Sequence, residues 1–357
     1  VRRSVSMKLP CLRRILLFSS LLLVGGLAMA RMPEVNYHLL NKYTFGPAAA
    51  STREYFDYIF VDSSARRVYL ARGTEVTVMN ADNGTVVGNI TGLKRDHGIA
   101  VASEFGRGFI SDGDQGKVII FDLKTLKIIG EATAQPDTDC VIYDSSSKRI
   151  FAMNGDSHSS TVIDAKTGTV VKNIDLGGGP EFAVADGKGT VYNNIEDKNE
   201  IIAIDSHTLK IKSRWPLAPA GGPTALAMDR QHRRLFSAGR NPQMLVILDA
   251  DNGKVIQSFP ISAGVDAAAY DPETGLVYVS TLAGKVHIFH EDSPDKFSTV
   301  ETVETEYGAK TMGLDTKTHN FFVDTADFGP PPAPTQERPR PRRPAILGTF
   351  RVLVYGR

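Results

Sequence analysis

Four carboxylates, Asp57, Asp139, Glu181 and Asp266, follow one another at intervals of 82, 42 and 85 residues in a chain of 357. Each interval is close to one or two steps of 42 residues. Lys310 stands 44 residues beyond Asp266, and His97 stands 40 beyond Asp57. Side chains that share a phase in a repeated structure are brought to one place, so these six form a candidate ligand-binding set. Carboxylates gathered together raise one another's pKa unless a cation joins them. Hard cations take several oxygen ligands, whereas zinc asks for more nitrogen or sulfur. The sharper expectation is a Ca2+ or Mg2+ ion held by Asp57, Asp139, Glu181 and Asp266. The plainer one is a wet channel, its carboxylates hydrated or paired to Lys310 and Arg95.

The elements that would position these residues repeat with the same step. Asp62, Ser103, Asp144, Asp186, Asp229, Asp271 and Asp315 recur at gaps of 41, 41, 42, 43, 42 and 44 residues. Each closes a short apolar run such as Ile59-Phe60-Val61 or Val141-Ile142-Tyr143. A period of 40 to 45 residues built from short strands is the sign of a β-propeller, and seven marks mean seven blades. The candidate site lies five residues before each mark, at Asp57, Gly98, Asp139, Glu181, Thr224, Asp266 and Lys310, with His97 beside the second. That is the entrance of the inner strand of each blade. The marking aspartates fit a turn in which they accept backbone N–H bonds.

A second strand with a central aromatic follows each mark, as in Arg67-Val68-Tyr69-Leu70 and Arg149-Ile150-Phe151-Ala152. Third strands come next, and several end in hairpin signals such as Asp82-Asn83-Gly84 and Asp251-Asn252-Gly253. The seventh unit lacks its outer strand, and residues 37–45 are available to supply it beside 350–355. The expected fold is therefore all-β: a seven-bladed propeller of four-stranded antiparallel blades, closed by pairing the N-terminal strand into the last blade.

Residues 1–30 read differently. Arg2, Arg3, Lys8, Arg13 and Arg14 precede an apolar run from Ile15 to Leu27, and Ala28-Met29-Ala30 offers a cleavage site. This is the pattern of a secretory signal peptide, and the run is short against the ~20 residues of a membrane span. A periplasmic or secreted protein is expected, with residues 31–357 as one propeller domain. Removing the leader takes Lys+Arg from 41 to 36 against 40 Asp+Glu, a net charge of about −4, which gives no argument for nucleic-acid binding. Cys140 would remain alone, so no intrachain disulfide is expected. The chain is read as a monomer, without a stable membrane span, whose partner is an unidentified small ligand or protein.

A Pro- and Arg-rich insertion at 326–348 holds Pro330-Pro331-Pro332, Pro334, Pro339, Pro341 and Pro344 with Arg338, Arg340, Arg342 and Arg343. Proline denies it a helix or a central strand, so an extended segment is expected on the face that carries the site. Hydrolase and metalloprotease signatures are absent from the sequence: there is no Gly-x-Ser-x-Gly and no His-Glu-x-x-His.

The blade phrases Gly275-Leu276-Val277-Tyr278-Val279-Ser280-Thr281, Thr161-Val162-Ile163-Asp164-Ala165-Lys166-Thr167-Gly168 and His97-Gly98-Ile99-Ala100-Val101 resemble the YVTN-repeat, YncE-like family of exported bacterial seven-bladed propellers. That resemblance implies an exported binding or scaffold protein and assigns no catalytic residue. The expected function is a ligand- or protein-binding scaffold acting through its channel-mouth face. The alternative is a metal-assisted lactonase- or esterase-like hydrolase, because propeller lactonases also hold a channel ion on acidic and amide side chains.

Overall fold

A computed structural model describes residues 1–6, 35–336 and 341–357. The chain divides into two units, Val1–Pro33 and Glu34–Arg357. Of the first, only residues 1–6 are described; they are exposed and carry no regular structure, so the expected leader lies almost wholly outside the described residues.

In the second unit, 28 strands form seven four-stranded antiparallel sheets. This is the seven-bladed β-propeller that the repeat predicts. Six blades use consecutive strands, from Ile59–Asp62 at the inside of blade one to Lys296–Glu304 at the outside of blade six. Blade seven joins both ends of the unit. Its inner strand Met312–Asp315 is followed by Asn320–Thr325, then Arg351–Gly356, and His38–Thr44 lies outermost. The last pair is antiparallel, with Lys42 opposite Leu353 and Tyr43 opposite Val352. Tyr37 fastens the closure: its hydroxyl lies 2.7 Å from the Tyr278 hydroxyl and donates to the His319 carbonyl at 2.8 Å.

The mid-strand aromatics Tyr69, Phe109, Phe151, Tyr192, Phe236, Tyr278 and Phe321 are all buried. They fill the gaps between adjacent blades; Phe236, for example, packs with Val277 and Val279 of the next blade. Large rings suit these gaps because a half-buried pleat rewards bulky apolar cover. The hairpin glycines have a steric reason as well as a conformational one. Gly253 has φ +73, and a Cβ there would sit 2.1 Å from the Trp215 ring. Where the sequence lacks glycine in this slot, Leu126 and Leu209 take the left-handed conformation themselves, each at φ 59.

The marking aspartates hold the turns between first and second strands. Asp144 accepts from the Ser147 amide at 3.0 Å, and Asp229 accepts from the amides of Gln231 and His232, both at 2.9 Å. Among the described residues no helix is long and apolar enough to cross a membrane.

Candidate functional site

Each blade sends one charged side chain to the hub. Blades one to four supply Asp57, His97, Asp139 and Glu181 from the starts of their inner strands. Blade six supplies Asp266 and blade seven Lys310 in the same way. Blade five has Thr224 at the equivalent position, and Arg240 fills the place from the end of its second strand, Arg234–Arg240. Register shifts in the inner strands help aim these groups. The inner strand of blade two ends at Ala102, as that of blade three ends at Asp144, so the five-residue step counts back to His97 and not to Gly98. Gly98 lies so close to blade three that a Cβ would meet the Asp139 carbonyl at 2.9 Å.

The charges run in a ring. His97 Nδ1 lies 2.6 Å from Asp57 Oδ2 and 3.5 Å from Asp139 Oδ1. The Tyr55 hydroxyl covers this junction, 2.9 Å from His97 Nδ1 and 3.2 Å from Asp57 Oδ2. The Lys310 ammonium donates to Asp57 Oδ1 at 3.3 Å and to Asp266. Arg240 also holds Asp266, donates to Glu196 Oε1 at 3.1 Å, and stays 3.9 Å from Glu181 Oε1. In blade order the signs are minus, plus, minus, minus, plus, minus, plus. A ring of seven cannot alternate throughout, and the one adjacent like pair is Asp139 and Glu181.

The titration of these groups follows from that order. Burial pushes Asp57 up, but Lys310 and His97 outweigh it and hold the carboxyl below the ordinary range. Burial pushes His97 down, yet its hydrogen bond to Asp57 and the charge of Asp139 raise it to about 9. Lys310 is likewise raised, because Asp266 and Asp57 outweigh the cost of burial. The two adjacent acids behave oppositely to Asp57. Burial raises Asp139 to about 6; Asp57 and Asp266 add to the rise, and His97 opposes it. Glu181 is raised well above the ordinary value by burial and by Asp139.

The hub meets the plainer expectation at Lys310, which pairs with two carboxylates, and departs from the oxygen cage. The four carboxylates do not form one oxygen cage, because Lys310 bridges Asp57 to Asp266 and Arg240 caps Asp266. That donor set does not fit a hard dication, which asks for six to eight converging oxygens. The tightest donor group here is Asp57, His97 and Asp139. Nor is the centre simply a wet channel. Tyr58 of blade one reaches across to Phe182 of blade four, edge to face at 5.4 Å between ring centres, and is itself buried. Arg95 pairs with Asp137 at 3.2 Å and Asp114 at 3.5 Å rather than with a hub carboxylate. A cavity of about 260 Å3 lies instead at the opposite end, lined by Asp62, Ser63, Ser103 and Thr316 among others.

Access to the hub is uneven. The Asp57 side is closed over by Tyr55 and by the buried Glu54, which accepts from the Gly348 amide at 2.7 Å. The Asp139 side chain remains 29% exposed, against 4% for His97 and 9% for Asp266. The insertion folds back at its base: Phe328 pairs with Ala345 in a short bridge, Arg343 lies over the Tyr307 ring, and Phe328 packs edge-on against Phe56. Residues 337–340, with Arg338, Pro339 and Arg340, lie outside the described residues.

Sequence phase gave five of the seven ring members, and His97 stood beside the position it marked in blade two. It did not place Arg240 in the ring, because a loop-side residue carries no inner-strand phase, although the empty slot at Thr224 was a signal. It also missed Tyr55 and Tyr58, and the buried Asp324, which accepts from Thr311 Oγ1 at 2.7 Å and is raised by burial to about 8.

No protein-family model matches the chain, and no curated protein does. Solved structures do match. The Kuenenia stuttgartiensis hydrazine synthase is similar over 79% of this chain and 95% of its own, at 14% identity and a TM-score of 0.67. A chain of a mitotic checkpoint complex is similar over 100% of this chain and 99% of its own, at 11% identity and a TM-score of 0.69. Likeness at such identities is likeness of fold. The chain is a seven-bladed β-propeller.

Proposed function

We propose that this propeller is an exported binding scaffold, akin to the YVTN-repeat, YncE-like proteins, that takes a cation-bearing ligand at the open side of its hub. The ligand is a small amine or the basic side chain of a partner protein. One observation carries this reading. The odd-membered charge ring leaves Asp139 and Glu181 side by side without a close cation between them, and Asp139 Oδ1 has no hydrogen-bond donor. A ligand ammonium or guanidinium placed there would complete the ring and relieve two raised carboxyls at once. The mature chain's acidic balance would draw such ligands in. The leader pattern at 1–30 supports export to the periplasm or beyond.

The experiment is calorimetric titration of the mature protein with butylamine, methylguanidine, Ca2+ and Mg2+, each repeated on Asp139→Asn/Glu181→Gln. Binding of an amine or guanidinium, lost in the double variant, supports the proposal. Binding of Ca2+ or Mg2+ alone, lost in the same variant, would make the ligand a hard cation and bring the lactonase-like hydrolase forward. No heat with any probe would mark the hub as a closed structural network.

A further inference from the structure

The face opposite the proposed ligand site carries a second cluster, and it has a different chemistry. Asp229 ends the inner strand of blade five, Pro223–Asp229, and His232 lies in the turn that follows. Glu291 comes from blade six. The third strand of that blade, Lys285–Ser293, and its partner Lys296–Glu304 each run for nine residues, against six for the third strand of blade four, Glu200–Asp205. The extra length carries Glu291 past the turn of blade six to the His232 side chain of blade five.

His232 Nδ1 lies 2.8 Å from Asp229 Oδ2 and 3.0 Å from Glu291 Oε1. One ring nitrogen thus faces two carboxylate oxygens, although it can give at most one proton. Glu291 is 91% buried as a residue, and its Oε1 has no hydrogen-bond partner while pointing at the imidazole. Its other oxygen accepts from the Tyr270 hydroxyl at 2.8 Å. Asp229 is fixed by the backbone amides of Gln231 and His232. Both carboxylates are thereby oriented from behind, as outer partners orient metal ligands.

We infer that Asp229, His232 and Glu291 form a site for a divalent transition ion of the zinc class, which fastens blade five to blade six. The three donor atoms lie within 4.8 Å of one another. Tetrahedral zinc with bonds of about 2.0–2.1 Å holds its ligands about 3.3 Å apart, so a small outward movement of each donor admits the ion. Two carboxylates and a neutral imidazole match the charge of a dication. One nitrogen with two oxygens is a set that zinc accepts and that offers calcium too few oxygens. The His232 side chain is 37% exposed, which leaves an entry path and room for a water as fourth ligand. The next blade junction shows what is special here. His319 pairs with Asp271 at 2.7 Å, but its second acid, Glu273, is 3.8 Å away and 77% exposed.

The test is calorimetric titration of the chelator-treated mature protein with ZnCl2, together with thermal melts. One equivalent should bind and raise the melting temperature by ~3 °C or more. His232→Ala and Glu291→Gln should each abolish that shift, and Tyr270→Phe should weaken binding 10–100-fold through the lost orienting bond. His232→Ala removes a partly exposed side chain, and the apo melt of each variant shows that it is folded. Co2+ should give a visible ligand-field spectrum in wild type that disappears in His232→Ala. Asp139→Asn/Glu181→Gln should bind zinc as wild type does, which separates this site from the hub. Zinc binding that survives His232→Ala and Glu291→Gln, or no binding at all, overturns the inference.

Discussion

Replacing Lys310 by Met keeps the length of the side chain and removes the ammonium that joins Asp57 to Asp266. Removing one partner of a buried ion pair costs about 3–5 kcal/mol, because the other charge is left desolvated. Lys310 is 24% exposed and Arg240 still holds Asp266, so the loss here is smaller, about 2–4 kcal/mol at neutral pH. In a ring of this size each kcal/mol moves the melting temperature by roughly 2 °C, which gives a fall of roughly 4–8 °C. The pH dependence has a definite sign. Asp57 is depressed in the folded protein, so its contribution is present above its unfolded pKa and fades as pH falls through the lower folded value. Without Lys310 the carboxyl rises and protonates sooner. The gap between wild type and Lys310→Met should therefore be widest above about pH 5 and should shrink towards pH 3. Thermal melts and urea titrations at pH 7 and pH 3.5 measure it. The control is Lys285→Met, whose partner Glu304 is 71% exposed and whose loss should cost at most about 1 kcal/mol. Equal effects of the two substitutions at pH 7 would refute the hub network.

Four further outcomes are expected. His97 is raised to about 9, so the stability it adds is complete below its ordinary value near 6.5 and is lost as pH climbs through about 9; melts of wild type and His97→Gln should converge over that window. Tyr37→Phe removes the bonds to Tyr278 and His319 and should cost about 1–2 kcal/mol, while deleting residues 38–44 exposes the edge of Arg351–Gly356 and should leave the protein insoluble. Deleting residues 330–341 should leave the melting temperature within about 2 °C of wild type, because the bridge of Phe328 to Ala345 and the packing of Phe328 on Phe56 lie outside the cut.

The ring was legible in the sequence because its marks are chemical as well as periodic. Asp144 and Asp229 are needed to hold turns, and a turn recurs once per blade. The closure at 37–45 was legible because a blade lacking its outer strand leaves an unpaired edge. Hub membership followed the same phase at Asp57, Asp139, Glu181, Asp266 and Lys310. What phase cannot carry is the partner of each charge. Arg240 arrives from the far end of a second strand, and Tyr58 reads as one more apolar residue before an inner strand. The four-oxygen cage rested on phase and charge, and neither shows which carboxylates Lys310 and Arg240 pair with. The cluster of Asp229, His232 and Glu291 depends on a hairpin lengthened by a few residues, which leaves no periodic trace.

The most direct measurement is a carbon-13 NMR titration of the carboxyl of Asp139 in the mature protein, assigned with Asp139→Asn. A hub in which sevenfold alternation must break at blades three and four puts this carboxyl at about 6, with the imidazole of His97 still protonated there. A midpoint at or below the ordinary aspartate value near 4 would mean that Asp139 is fully paired, and that the ring has no open place for a ligand.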